Sequence, residues 1–106
     1  MFGRQVTLKL KVDSASELSR ITEAEILPIL RKQHGFRDET TFIAPERLEA
    51  VANSFWDTKA DAEAYSRTAY PQVLKTLSTI IDGAPIVKNF EFASSTIQPV
   101  AASKSA

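Results

Sequence analysis

An α+β domain with one four-stranded, mainly antiparallel sheet and two helices on one face is predicted by three observations. Alternating apolar runs at residues 5–12, 37–44, 47–57 and 86–92 read as four strands. Amphipathic stretches between the first and second runs and between the third and fourth read as helices. The second and third runs are joined only through Pro45 and Glu46, so they should pair as a hairpin. With right-handed crossovers, the order β-α-β-β-α-β is a ferredoxin-like split βαβ arrangement.

In the first strand, QVTLKLKV places Val6, Leu8, Leu10 and Val12 on one side and Thr7, Lys9 and Lys11 on the other. Ser14 and Glu17 then have capping-box spacing and start a helix. Its stripe of Leu18, Ile21, Thr22, Ile26, Ile29 and Leu30 ends at QHGF. There Gly35 suits the left-handed position after a helix and Phe36 can fold back as its apolar partner. Pro28 interrupts the stripe. It lacks a donor and clashes with the carbonyl four residues earlier, at about 3 kcal/mol in a regular interior, so a kink or bulge is expected.

The hairpin follows as RDETTFIA and RLEAVANSFWD. In its second arm Leu48, Ala50, Ala52, Ser54 and Trp56 share one face, and Glu49, Val51, Asn53 and Phe55 share the other. Both faces carry apolar groups. Asp57 or Thr58 caps the next helix, with Asp61 three residues after Thr58. Ala62, Tyr65 and Ala69 form one stripe up to Pro71, and Val73, Leu74, Leu77, Ile80 and Ile81 form another, so a break is expected near Tyr70. DGAP at 82–85 is a turn, and IVKNFEF closes the sheet with Ile86, Phe90 and Phe92 on one face.

The totals exclude several classes of function. The 106 residues suffice for one domain, and 43% hydrophobic with 25% charged residues is ordinary globular composition. Thirteen basic and thirteen acidic residues cancel, with no basic run to track a phosphate backbone, so nucleic acid is not an expected partner. Without cysteine there is no disulfide or thiolate chemistry, and His34 alone cannot build an imidazole-rich metal site. No metal or cofactor is expected. The alternating opening MFGRQVTLKLKV is neither a signal peptide nor a membrane anchor, which makes the cytoplasm the expected location and a membrane an unexpected partner.

Helices on one sheet face leave the other exposed, and its apolar members exceed what soluble monomers usually show. A second copy packed face to face is the simplest remedy. At this point ILPILRKQHGF, SFWDTKADAEAY, YPQVL and DGAPIVKNFEF together resemble the antibiotic biosynthesis monooxygenase-like (ABM) domains of the dimeric α+β barrel superfamily. The resemblance spans about residues 5–92, a matter of order and composition, with the Trp-then-capped-helix junction and the Pro-Gly punctuation as its local signatures. It implies a homodimer through the sheet face and a cavity in each protomer between sheet and helices. The chain from Ala93, small and polar apart from Ile97 and Val100, reads as a loose end, so a domain at residues 1–93 and a flexible tail at 94–106 are expected. Some members of that family oxidise polycyclic phenols with molecular oxygen and neither metal nor flavin, others degrade haem, and many have no established reaction.

Cofactor-free oxygenation needs a substrate that deprotonates to an electron-rich anion and a pocket whose polar groups orient it. The candidates are Asn53, Trp56, Tyr65 and His34 for catalysis, and Trp56, Tyr65, Tyr70 and Arg67 for binding a small aromatic or apolar ligand. Each has a plain structural reading beside the functional one. Trp56 at a strand end can be a core or interface anchor. Tyr65 can be core, Tyr70 can shape the break before Pro71, and Arg67 can be solvated. His34, just before Gly35, can serve the helix C-terminal carbonyls rather than act as a base. Parity sets Asn53 and Trp56 on opposite sides of their strand unless a bulge intervenes. Glu23, Glu25, Asp38 and Glu39 read as solvated carboxylates.

Haem-degrading members resemble one another in a first-strand Asn, a Trp in the second helix and a His ligand further along it. Here the first strand has no Asn, Tyr65 stands where the helix Trp would be, and Lys75 lies near the His position. A haem ligand is therefore missing. The functional readings left open are a cofactor-independent monooxygenase, a non-catalytic ligand-binding or structural dimer, and a cofactor-free isomerase or lyase.

Overall fold

The computed structural model describes residues 1–94; the expected tail at 94–106 lies outside the described residues from position 95 onward. In chain order the elements are β1 (Phe2–Lys9), α1 (Ala15–Ile21), a π-helical turn (Thr22–Ile26), α2 (Leu27–Arg31), β2 (Phe36–Ile43), β3 (Glu49–Trp56), α3 (Lys59–Thr68), α4 (Tyr70–Leu77) and β4 (Ile86–Glu91). The strands form one antiparallel sheet in the order β2-β3-β1-β4. This is the predicted α+β, ferredoxin-like arrangement.

Strand parity divides the sheet cleanly. Phe2, Arg4, Val6 and Leu8 of β1 and Ala50, Ser54 and Trp56 of β3 are buried against the helices, where they meet Leu18, Ile21, Ile26, Leu30, Tyr65, Val73 and Leu77. Each fully buried leucine, such as Leu8 or Leu18, contributes about 1.5–3 kcal/mol relative to exposure. The opposite face carries Phe42, Ile86 and Phe90, which are 64%, 59% and 50% exposed. There Phe55 and Phe92 meet edge to face at 5.4 Å, over the space that the missing side chain of Gly3 leaves.

The first strand differs from its expected bounds. It begins at Phe2 and stops at Lys9, and after the bridge from Leu10 to Ile81 the chain leaves the sheet, so Val12 is exposed rather than buried. Asp13, at φ 61°, turns the chain. This also displaces the expected capping box. Ser14 accepts no side-chain cap bond, and Glu17 pairs with Arg20 at 2.7 Å instead.

The irregularity expected at Pro28 is the π-helical turn of Thr22–Ile26, directly before the helix that contains it. A proline ring excludes the carbonyl four residues back, here Ala24, and a widened turn accommodates it. Gly35 takes the left-handed conformation, φ 78°, as its place after the helix requires. Phe36 does not fold back on the helix but opens β2 and meets Trp56 edge to face at 5.5 Å. The hairpin loop is longer than Pro45 and Glu46 alone, with Arg47 at φ 65° and its N–H donating to Ala44 O at 2.7 Å. Thr58, not Asp57, caps α3, and the break falls at Ala69.

Candidate functional site

Between sheet and helices lies a cavity of about 50 Å³. Its floor is a row across three strands, because Ser54 of β3 is in register with Glu39 of β2 on one side and Arg4 of β1 on the other. Helical side chains close it: Ile26 from the π-helical turn, Leu30, Tyr65, Tyr70 and Val73. The Pro28 irregularity thus sets one wall through Ile26, and the Ala69 break turns Tyr70 toward the same space as Tyr65.

Arg4 is the least expected member. It is only 4% exposed, yet among the described residues it makes no ion pair or side-chain hydrogen bond. What it has instead is aromatic. Its Cζ lies 4.0 Å from the Tyr70 ring centroid and 5.5 Å from that of Tyr65. Cation–π contacts contribute about 0.5–2 kcal/mol, whereas an unpaired buried ion costs several kcal/mol. The rings offset part of that cost, and the guanidinium nitrogens stay open to the cavity: among the described residues the one buried side-chain polar atom without a partner is Asp57 Oδ1.

Tyr65 is buried in α3, and burial pushes its hydroxyl pKa up to about 12, with the nearby Arg4 charge pulling the other way. It stays a phenol at neutral pH and can donate a hydrogen bond. Glu39 is half-buried and lines the cavity. Burial raises its carboxyl pKa, while the Thr41 hydroxyl, donating at 2.5 Å, opposes the rise. The expectation that Glu39 is a solvated carboxylate is therefore corrected.

Trp56 is fully buried, and its Nε1–H donates to Ser54 Oγ at 2.9 Å. Its ring stacks on Tyr65 with centroids 5.0 Å apart. It is not among the residues lining the cavity. The indole stands one ring behind the cavity and supports Tyr65, with no free N–H for a ligand.

The remaining candidates are scattered. Asn53 borders the cavity from its strand, but its side-chain oxygen accepts from Gln5 Nε2 at 3.1 Å on the open sheet face. Among the described residues the one register shift in the sheet is in β2, between Phe36 and Asp38, so β3 parity keeps Asn53 and Trp56 apart. Arg67 is exposed in the last turn of α3. His34 is exposed and lies outside the cavity, with Nδ1 2.8 Å from Asp61 Oδ1, which raises the imidazole pKa. It bonds a carboxylate and not the helix carbonyls. Among the described residues no group of three His, Cys, Asp or Glu side chains could hold a metal, and no helix is long and apolar enough to cross a membrane.

Sequence reasoning missed Arg4 and Glu39. Extending the alternation of Val6 and Leu8 back by two residues puts Arg4 on the buried face, a signal that was present in the chain. For Glu39 the signal is ambiguous: Phe42 and Ile43 are adjacent apolar residues, so the alternation of β2 can be started on either face, and pairing with Ser54 is what puts Glu39 on the helix side.

No protein-family model matches the chain, and no curated protein matches it in sequence. Solved structures do match its fold. A candidate antibiotic biosynthesis monooxygenase from Nitrosomonas europaea has a TM-score of 0.72 at 17% identity, over 88% of this chain and 99% of that one. A monooxygenase from the Streptomyces coelicolor gene ActVA-Orf6, in complex with the ligand nanaomycin D, has a TM-score of 0.76 at 14% identity, over 89% and 88%. A second Nitrosomonas europaea protein, of unknown function, has 0.73 at 14%, over 90% and 91%. At such identities the likeness establishes architecture and not chemistry. The chain has the ABM-like α+β fold that these structures share.

Proposed function

We propose that this protein is a cytoplasmic homodimer that binds a small aromatic or otherwise apolar molecule in the cavity between sheet and helices and acts on it as a cofactor-independent monooxygenase. The observation that carries the reading is the cavity itself, in which Arg4 and the phenol of Tyr65 converge with Tyr70 on one apolar space. The naming of fold neighbours as monooxygenases, one of them holding nanaomycin D, supports it. In such a reaction a phenol C–H becomes a quinone carbonyl, one oxygen atom enters the ring and the other leaves as water, with all electrons from the substrate. Arg4 would stabilise the phenolate from which the electrons depart, and Tyr65 would donate to the developing oxyanion. The dimer would form through the open sheet face, covering Phe42, Ile86 and Phe90.

The test is oxygen uptake with 1-naphthol and single-ring phenols, with isotopically labelled dioxygen to follow the inserted atom. Labelled quinone formed at a rate proportional to protein supports the activity. No uptake with any phenol sinks its enzymatic half.

A second reading, a non-catalytic ligand-binding or structural dimer, is favoured by two observations. The cavity is small beside a polycyclic substrate, and Trp56 is fully buried. It predicts ligand binding without turnover, or neither.

A further inference from the structure

The cavity floor holds a separated pair of opposite charges. Arg4 and Glu39 both flank Ser54 in register, which puts their Cα atoms about 10 Å apart, two strand spacings. They make no ion pair with each other. Arg4 is 96% removed from solvent, lines the cavity, and stands over the rings of Tyr70 and Tyr65. A guanidinium offers five N–H donors and no acceptor, so nothing but an acceptor group satisfies it. Among the described residues no such group does. Tyr65, held as a phenol, lines the same space.

We propose that Arg4 is the receptor for a single oxyanion on the ligand, a carboxylate or a phenolate carried by one flat ring, and that Glu39 across Ser54 excludes a second negative charge. The proposal rests on the reading of this cavity as the ligand site. The planar guanidinium sits against Tyr70 and so is held with its donor edge fixed, the geometry that suits a delocalised oxyanion better than a neutral carbonyl. At about 50 Å³ the cavity takes the charged end of the ligand alone, well short of the roughly 150 Å³ that encloses a benzene ring, so the ring sits at the cavity mouth.

Calorimetric titration of the full-length protein with matched pairs tests it. Benzoate against benzamide reports a carboxylate, and 4-nitrophenolate against nitrobenzene at mildly alkaline pH reports a phenolate. The expected result is a preference of about tenfold or more for the anion in at least one pair, the loss of one charged hydrogen bond being of that size. Whichever pair shows it identifies the source. The preference should collapse toward one in Arg4→Met, which keeps the apolar stem against Tyr70, and persist in part in Arg4→Lys. Benzene-1,3-dicarboxylate should bind more weakly than benzoate, and Glu39→Gln should narrow that gap.

Equal binding of neutral and anionic partners, or an anion preference unchanged in Arg4→Met, overturns the proposal while leaving the cavity a ligand site. Binding of none of these compounds overturns both. The comparison within the wild-type protein needs no variant, so a poorly folding Arg4→Met does not spare the proposal.

Discussion

Tyr65 stacks on Trp56, with ring centroids 5.0 Å apart and planes inclined by 28°, while the same tyrosine ring lies 5.5 Å from the Arg4 guanidinium. Core and cavity therefore share a wall one aromatic ring thick. Removing the ring behind that wall should unfold the core, and editing its hydroxyl should not. Trp56→Ala is expected to lose about 3–5 kcal/mol of stability, and Tyr65→Phe no more than about 1 kcal/mol. Denaturation followed by circular dichroism measures both. Turnover or ligand affinity should fall in Tyr65→Phe despite its near-normal stability.

The indole N–H of Trp56 has one partner, Ser54 Oγ at 2.9 Å. Ser54→Ala leaves a buried donor unpaired and should cost about 1–3 kcal/mol. Ser54→Thr, which retains the hydroxyl, should recover part of it in the same denaturation assay.

His34 and Asp61 tie the end of the first helical segment to the start of α3 and should make stability depend on pH. The hydrogen bond to Asp61 raises the His34 pKa above its ordinary 6.5, so its contribution is fully present below that value and fades as pH rises through the folded pKa. The hydrogen bond from His34 holds the Asp61 carboxyl below 3.8, so its contribution is present above 3.8 and is lost as pH falls through the folded value. The gap in melting temperature between wild type and His34→Ala should be widest between those limits. The sole histidine gives a single set of imidazole resonances, which should titrate above 6.5 and lower in Asp61→Asn than in wild type.

Two glycines with similar backbone angles should respond differently to alanine. Gly35 and Gly83 have φ of 78° and 74°. A side chain at Gly35 would overlap the Asp61 carboxylate, whereas Gly83 has open space around it. Gly83→Ala should cost only the strain of the left-handed region, about 1–2 kcal/mol. Gly35→Ala should cost clearly more and also release His34 from Asp61, visible in the imidazole titration.

The open sheet face supplies a prediction about assembly. Phe42 and Phe90 are more than half exposed or at half exposure, on a face that also carries Phe55 and Phe92. Light scattering after size exclusion should give twice the chain mass for wild type. Phe90→Glu together with Phe42→Glu should give the single-chain mass, with the melting transition of the individual domain retained.

How far the sequence disclosed this molecule depended on whether a signal was local. The strand-helix order, the Pro28 irregularity, the left-handed Gly35, the Thr58 cap and the break before Pro71 each follow from a few adjacent residues, and each is present. The first strand was displaced because Leu10, Lys11 and Val12 continue the alternation beyond Lys9, where the strand ends ahead of the turn at Asp13. The cavity was legible only in part. Tyr65 and Tyr70 flank the helix break and could be placed together, but Arg4 and Glu39 sit 35 positions apart in the sequence and share one row only through pairing with Ser54. Trp56 drew attention as a rare residue, yet its N–H is spent on Ser54, two residues away on its own strand.

The central claim, that the space under Tyr65 takes a small aromatic ligand, is tested most directly by the emission of the single tryptophan. Trp56 lies against Tyr65, so any ligand that shifts this ring changes the surroundings of the indole. Titration with hydroxylated aromatics, corrected for inner-filter effects, should give a saturable change at one ligand per protomer that is lost when Val73 is enlarged to Trp-free bulk as Val73→Phe, which fills the cavity. Emission that stays at a buried wavelength and unchanged intensity through the whole titration would contradict the claim and leave Trp56 and Tyr65 as packing alone.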